Sequence, residues 1–448
     1  MAFLFWPDPD RLVAKGYASV ANVPAIFDSN WKYHEELSRF LRERALAEWT
    51  PKVDVGRRAV RKKYLTRDSL KAVGNGLINF LEWCERRGLS WRNLSYTEHL
   101  VQGYQAQMLD GAWSVSGEGL KGSTVNQRVL HACNFLQWAS DRGLRSSFEV
   151  VAAPVRVRAD SATSVHGHKG LRAMARAGAV RQAPASLRMP TDEEVAKWLV
   201  SVRIERGATK ALMCELVLAS GMRREEVVQW RVDTLPEDRS DWHVIGDQVE
   251  VLIKHGTKGA KQSGPEGLEG PPRRIALPLT VAERLHHYRE FIRPRARAQY
   301  VRNANSPEER RSRQREIVRQ LFLSDVTGER ISHQVLYEAW TAVSALPYKG
   351  WSPHTGRDYW ACKKMLEAME RRTKALGLTL KKAPSGWVSD SAVDTLNLVI
   401  RPQLGHLSAE TTQRYLVWVE RAFTLSSLHG QYEQSLDALL DQIHAEAR

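Results

Sequence analysis

Three short stretches of this chain carry side chains able to work on a phosphate. Leu218-Ala219-Ser220-Gly221-Met222-Arg223-Arg224-Glu225-Glu226-Val227-Val228 sets Arg223 just after a glycine turn, on the opening of a helix. Glu226 follows by three, so it shares a helical face with Arg223 and buttresses it. His354-Thr355-Gly356-Arg357 follows Ser352-Pro353 and opens a helix over 358–371. A His and an Arg spaced in this way at a helix start suit anion binding. Leu404-Gly405-His406-Leu407-Ser408 leads into Thr411-Thr412-Gln413-Arg414-Tyr415. Each stretch alone is ambiguous, because surface arginines, histidines and tyrosines are common. In this order, with a lysine on a hairpin between the first two, Arg223, His354, Arg357, His406 and Tyr415 make a complete phosphoryl-transfer set.

On these residues the chain resembles the tyrosine recombinase (integrase) family. Ser220-Gly221-Met222-Arg223-Arg224-Glu225-Glu226-Val227 is similar to the family's first box, T-G-x-R-x-x-E-L, and His354-x-x-Arg357 to its H-x-x-R box. The third stretch, ending at Tyr415, is similar to L-G-H-x-S-x-x-T-T-x-x-Y and is the most specific of the three. The resemblance covers about 190–420 and extends more weakly to the helical region before it, which looks like a core-binding domain.

The resemblance implies a role for each residue. Arg223 and Arg357 would grip the non-bridging phosphate oxygens and stabilise the charge that grows in the transition state. His354 and His406 would add donors, and His354 would also help deprotonate Tyr415, since a phenol ionises only near ~10. Tyr415 would attack phosphorus, leaving a 3′-phosphotyrosine and expelling a 5′-hydroxyl that takes its proton from a lysine. Thr257-Lys258-Gly259 is similar to the family's T-K-x pattern and points to Lys258, with Lys254 and Lys261 as alternatives. No cofactor, metal or nucleotide is expected. The partners implied are double-stranded recombination sites, a homotetramer in the synaptic complex and accessory DNA-binding proteins.

Two departures stand out. Asp358 occupies a position where many members carry His or Lys; it could orient a neighbouring base, and capping the helix start is the preferred reading. The interval from Arg357 to His406 is also longer than usual, with a surface insertion over 373–390 containing Lys381-Lys382 and Pro384-Ser385-Gly386.

The elements that must position these groups read as mainly α with a small antiparallel sheet. The expected order is an all-helical core-binding domain followed by an α+β catalytic domain. An N-terminal extension (1–60) carries an amphipathic helix over 31–46 and a basic patch, Arg57, Arg58, Arg61, Lys62 and Lys63. Helical spacing of Leu70, Val73, Leu77, Phe80, Leu81 and Cys84, and a second helix over 124–142, define a helical DNA-binding domain over 61–150. Their Trp and Leu residues read as core rather than as base-stacking platforms. Residues 151–189 read as a basic linker with Arg156, Arg158, Lys169, Arg172, Arg176 and Arg181 as DNA contacts. The catalytic domain spans 190–424, starting at a Thr191/Glu194 capping pattern and including strands over 242–245, 249–253 and 273–277. A tail, 425–448, is expected to form a helix that folds back or docks on a neighbouring subunit. The two domains would clamp duplex DNA.

Composition agrees with a DNA partner. The 448 residues hold 66 Lys+Arg against 51 Asp+Glu, a net charge of +15 that favours phosphate and makes binding salt-dependent. Cys84, Cys133, Cys214 and Cys362 stand singly in apolar stretches, as buried free thiols in a reducing compartment would. His286-His287 reads as a surface pair rather than a metal site. No window reaches the ~18 apolar residues of a membrane span, and a cytoplasmic, nucleoid-associated protein is expected. The rival readings are a type IB-like topoisomerase, which relaxes DNA as a monomer, and a non-catalytic DNA-binding regulator on the same fold.

Overall fold

The computed structural model describes residues 2–51, 65–156, 172–181, 187–258, 270–377, 385–405 and 410–420. The basic patch at 57–63, Arg158, Lys169, Lys261, His406 and the tail 425–448 lie outside them. Among the described residues the chain is mainly α-helical, with short antiparallel sheets, as expected. They form two compact units, one drawn from residues before 184 and one from those after. No helix among them is long and apolar enough to cross a membrane.

The first unit is built on three long helices, Glu35–Ala45, Arg67–Arg86 and Gly122–Asp141, with a helix of wide turns at Tyr96–Gln105 continuing through Ala106–Leu109. Trp83 and Trp138, on the two helices read from periodicity, are core residues at 1% and 0% exposure. Residues 2–51 share the core of the helices that follow. Strand β1 (Phe3–Phe5) pairs antiparallel with β2 (Ala25–Phe27), and Ile26, Phe40, Leu41 and Trp49 share one apolar core with Leu70, Phe80 and Phe135. Strands of three residues carry too little alternation to be read from sequence.

Within the stretch read as a linker, two described segments form strands. Strand β3 (Ala152–Arg156) pairs antiparallel with β4 (Arg172–Arg176), in the register Ala152↔Arg176 to Arg156↔Arg172. Small and basic residues without an apolar face gave no strand signal.

The second unit opens where expected. Thr191 Oγ1 accepts from Glu194 N (3.2 Å) and Glu194 Oε2 accepts from Thr191 N (2.8 Å), starting the Asp192–Arg206 helix. The helices Ala208–Ser220 and Arg224–Val228 follow. A three-stranded antiparallel sheet comes next, in the order β5 (His243–Ile245), β6 (Gln248–Ile253), β7 (Arg273–Pro278). Val249, Val251 and Ile253 face its core, the alternation that made the strands legible. Trp198, Trp340 and Trp351 pack together beneath the site, with the first two ring centres 4.4 Å apart. At ~150–250 Å² each, such indoles stabilise a fold by about 4–6 kcal/mol apiece. A second cluster joins the Pro353–Ala375 helix through Trp360 and Met365 to Ile400, Leu404, Tyr415 and Val419. The four cysteines are buried free thiols, and burial pushes the Cys84 thiol up to about 12.

Candidate active site

The site starts from one buried carboxylate. Glu226, fully buried, reaches back from the first turn of Arg224–Val228 to accept from Arg223 N (2.7 Å). It also accepts from Arg223 Nη1 (3.0 Å), so Glu226 buttresses Arg223 as its spacing suggested. A second guanidinium, Arg273 at the start of β7, grips both its oxygens, Nε to Oε1 at 2.9 Å and Nη2 to Oε2 at 2.6 Å. Burial alone would push the Glu226 carboxyl up. The hydrogen bonds and charges of Arg273 and Arg223 outweigh it and hold the group below the ordinary carboxylate range.

These arginines continue onto the end of another helix. A helix running through Ser385–Thr395, Leu396–Ile400 and Arg401–Leu404 stops at Gly405, whose φ of +61° is left-handed. A side chain there would also strike Arg273, with its Cβ 2.9 Å from Cδ. The last carbonyls of a helix have no partner within it and carry partial negative charge. Here three successive ones each accept from a different arginine. Gln403 O takes Arg273 Nη1, Leu404 O takes Arg357 Nη2 (3.1 Å) and Gly405 O takes Arg223 Nη2 (3.1 Å). Gln403 fixes the helix end in turn, donating to Ser220 O (3.0 Å) and Ala276 O (2.8 Å) and accepting from Ala276 N (2.9 Å).

Arg357 also donates to Gly221 O and is 4% exposed. Its burial, with the charges of Arg223 and Arg273, lowers it to about 9, against the opposing pull of Glu226 and Tyr415. It therefore remains a cation at neutral pH.

Tyr415 lies in the Glu410–Glu420 helix and is 1% exposed. Its hydroxyl donates to Asp358 Oδ1 at 2.8 Å, and Arg414 Nη2 donates to the phenolic oxygen at 3.3 Å while pairing with the same carboxylate. Burial first, then the Asp358 charge, pushes the phenol well above its ordinary value, with Arg414 opposing. Asp358 is thus not the helix cap. Ser352 caps, with Oγ accepting from Thr355 N (3.4 Å) and Thr355 Oγ1 accepting from Ser352 N (2.7 Å). The helix begins at Pro353, which leaves Asp358 buried one turn further in.

His354 sits at the exposed rim of this cluster. Burial of its inner side lowers its pKa; Arg414, Arg357 and Lys258 act in the same direction and Asp358 opposes them. Lys258 itself is exposed. It follows Thr257, whose Oγ1 donates to Gly270 O (2.8 Å) while Gly270 N donates to Thr257 O (3.1 Å), closing the neck of the loop. The same loop touches the start of the Arg224–Val228 helix, where a Cβ on Gly256 would come 2.6 Å from Glu225 O. Lys254 lines a different hollow, with Asp233, Thr234, Pro236 and Glu250.

Arg273, Gln403 and Arg414 were missed by sequence reading. Arg273 had a signal: it shares the strand face of Ile275 and Leu277, both buried, and an arginine on an apolar face demands a buried acid. Four guanidiniums, Arg223, Arg273, Arg357 and Arg414, thus surround two carboxylates, Glu226 and Asp358. Such a surplus favours an anion.

Of the expected DNA-contacting arginines, Arg176 belongs to the first unit's interior bonding. It donates to Tyr96 Oη (3.2 Å), Gln105 Oε1 (2.8 Å) and Asn126 Oδ1 (2.9 Å). Arg156 and Arg172 pair across β3 and β4, and Arg181 is exposed.

No family model and no curated protein matches the chain. Among solved structures it is similar to XerH site-specific recombinase bound to difH substrate in a pre-cleavage complex, at 16% identity over 78% of each chain, TM-score 0.41. It is also similar to a lambda integrase (75–356) dimer bound to a COC′ core site, at 12% identity over 79% of this chain and 89% of that one, TM-score 0.42. A third is the Tn1549 transposon integrase (82–397) in complex with circular intermediate DNA, at 11% identity over 77% and 88%, TM-score 0.40. Likenesses this distant carry no residue role across to this chain.

Proposed function

We propose that the protein is a tyrosine-type site-specific DNA recombinase that cleaves and rejoins strands through a 3′-phosphotyrosine. The observation that carries the reading is the convergence of Arg223, Arg357 and Tyr415 from three separate segments onto one cation-rich cluster. The two guanidiniums bind the scissile phosphate and stabilise its developing charge; Tyr415 is the nucleophile. His354 at the rim, with His406 from its motif, donates to the phosphate. Lys258 protonates the departing 5′-oxygen, favoured over Lys254 by the reach of its charge to His354. Because the phosphotyrosine retains the energy of the broken bond, a 5′-hydroxyl from another strand reverses the step, which suits integration, excision or resolution by a tetramer of a mobile element's recombinase.

The test begins by selecting the bound sequence from genomic fragments and building a nicked suicide duplex around it. In EDTA the protein should form a covalent adduct, and Tyr415→Phe should form none. An adduct that survives that substitution sinks the mechanism. Relaxation of supercoils without joining of two sites would instead make the protein a topoisomerase.

A further inference from the structure

We propose that Asp358 is the general base for Tyr415, taking the phenol proton during cleavage and returning it during rejoining. This rests on the recombinase reading and gives to Asp358 the deprotonation that the sequence reading gave to His354. The geometry is direct: the phenolic oxygen lies 2.8 Å from Asp358 Oδ1, within proton-transfer distance, and both groups are buried, at 1% and 3% exposure. The phenol is the donor in this pair, so its proton already points along the bond. His354, the other candidate base, lies at the exposed rim of the cluster.

Burial first, and then the Asp358 charge, make phenolate costly before DNA arrives, which is why the phenol is pushed up rather than down. The proton therefore leaves late. As the Tyr415 oxygen bonds to phosphorus its acidity rises steeply, and the proton passes to Asp358 while the bond from phosphorus to the 5′-oxygen breaks. The 5′-oxygen takes a proton from Lys258. In rejoining, the 5′-hydroxyl attacks phosphorus and gives its proton to Lys258, the phosphotyrosine bond breaks, and Asp358 returns its proton to the phenolate. Arg414 serves both states. It donates to the phenolic oxygen and pairs with Asp358, holding the two in line.

Single-turnover cleavage of the nicked suicide duplex over a range of pH tests this with Asp358→Asn, which keeps the side chain's size and its accepting oxygen. Expected is a cleavage rate lower by about 100-fold or more at neutral pH, rising with pH as solvent hydroxide takes over. A duplex with a 5′-bridging sulfur, whose leaving group needs no proton, should restore Lys258→Ala and leave Asp358→Asn slow. Asp358→Glu, retaining the carboxylate, should keep the wild-type pH profile at reduced rate, and it decides the matter if Asp358→Asn fails to fold by thermal melting. A rate for Asp358→Asn within about threefold of wild type would overturn the proposal. So would a defect that merely parallels the wild-type pH profile, the mark of positioning alone, or rescue by the sulfur substrate. An adduct formed by Tyr415→Phe would overturn the recombinase reading itself, whereas an active Asp358→Asn leaves that reading intact.

Discussion

Each unit holds a buried glutamate between two arginines, and the two clusters end differently. In the first, Glu43 accepts from Arg39 Nε (2.9 Å), Arg142 Nη2 (2.7 Å) and Trp138 Nε1 (2.8 Å). Burial pushes its carboxyl up, but the Trp138, Arg142 and Arg39 bonds hold it below the ordinary range. Its guanidiniums lie partly in water, at 42% and 35% side-chain exposure, and the cluster ties the Glu35–Ala45 helix to Gly122–Asp141. In the second, Arg223 and Arg273 are only 19% and 11% exposed, and they continue into backbone carbonyls beside a third guanidinium, Arg357. An Arg–Glu pair is therefore no mark of function. What distinguishes the second cluster is buried cation left without a carboxylate of its own, and that is what an incoming phosphate would neutralise.

The sharpest way to separate the two is to remove each carboxylate's charge. Glu226→Gln leaves two enclosed guanidiniums unpaired and should lower stability by about 3–5 kcal/mol, read by urea unfolding. Cleavage of the suicide duplex should fall more than about 100-fold in the fraction that remains folded. Next in size, Arg357→Lys keeps the charge but loses the fork that spans Gly221 O and Leu404 O. Cleavage should drop about 100- to 1,000-fold, as for loss of one oriented donor. Glu43→Gln should cost less, about 1–3 kcal/mol, because its arginines can turn to water. Its folded fraction should cleave within about threefold of wild type. A cleavage defect in Glu43→Gln as large as that in Glu226→Gln would end the distinction drawn between the clusters.

The smallest effect concerns pH. Both carboxyls sit below their unfolded value near ~4.3, so both contribute stability that is present above that value and lost as pH falls through the lower folded values. Acid titration of the unfolding midpoint should show this limb in the wild type. Each Glu→Gln substitution should flatten it, and a limb unchanged in both variants would contradict the assigned ion pairs.

Much of the second unit was legible because local chemistry leaves marks. The alternation of Val249, Val251 and Ile253 and the Thr191/Glu194 cap state their structure within a few residues. Arg223 and Glu226 were legible together because a helix brings positions three apart into contact. Asp358 was misread for the opposite reason: its partner Tyr415 lies 57 residues away, and nothing local distinguishes it from a helix-start carboxylate. The bonds of Arg176 leave no local mark either, since its partners Tyr96, Gln105 and Asn126 lie 50 to 80 residues away. Arg273 could have been found, as the inward-facing arginine of a strand whose outward one, Arg274, pairs with Glu250.

The row of carbonyls at Gln403, Leu404 and Gly405 makes three guanidiniums answer to one piece of backbone. Mechanically this is a single lever. Hydrogen bonds weaken steeply once stretched or bent, so sliding that helix end by about an ångström would slacken all three attachments together. The holds of Arg223, Arg273 and Arg357 on this helix end are thereby geared to one another, so the cluster tightens or loosens as a whole.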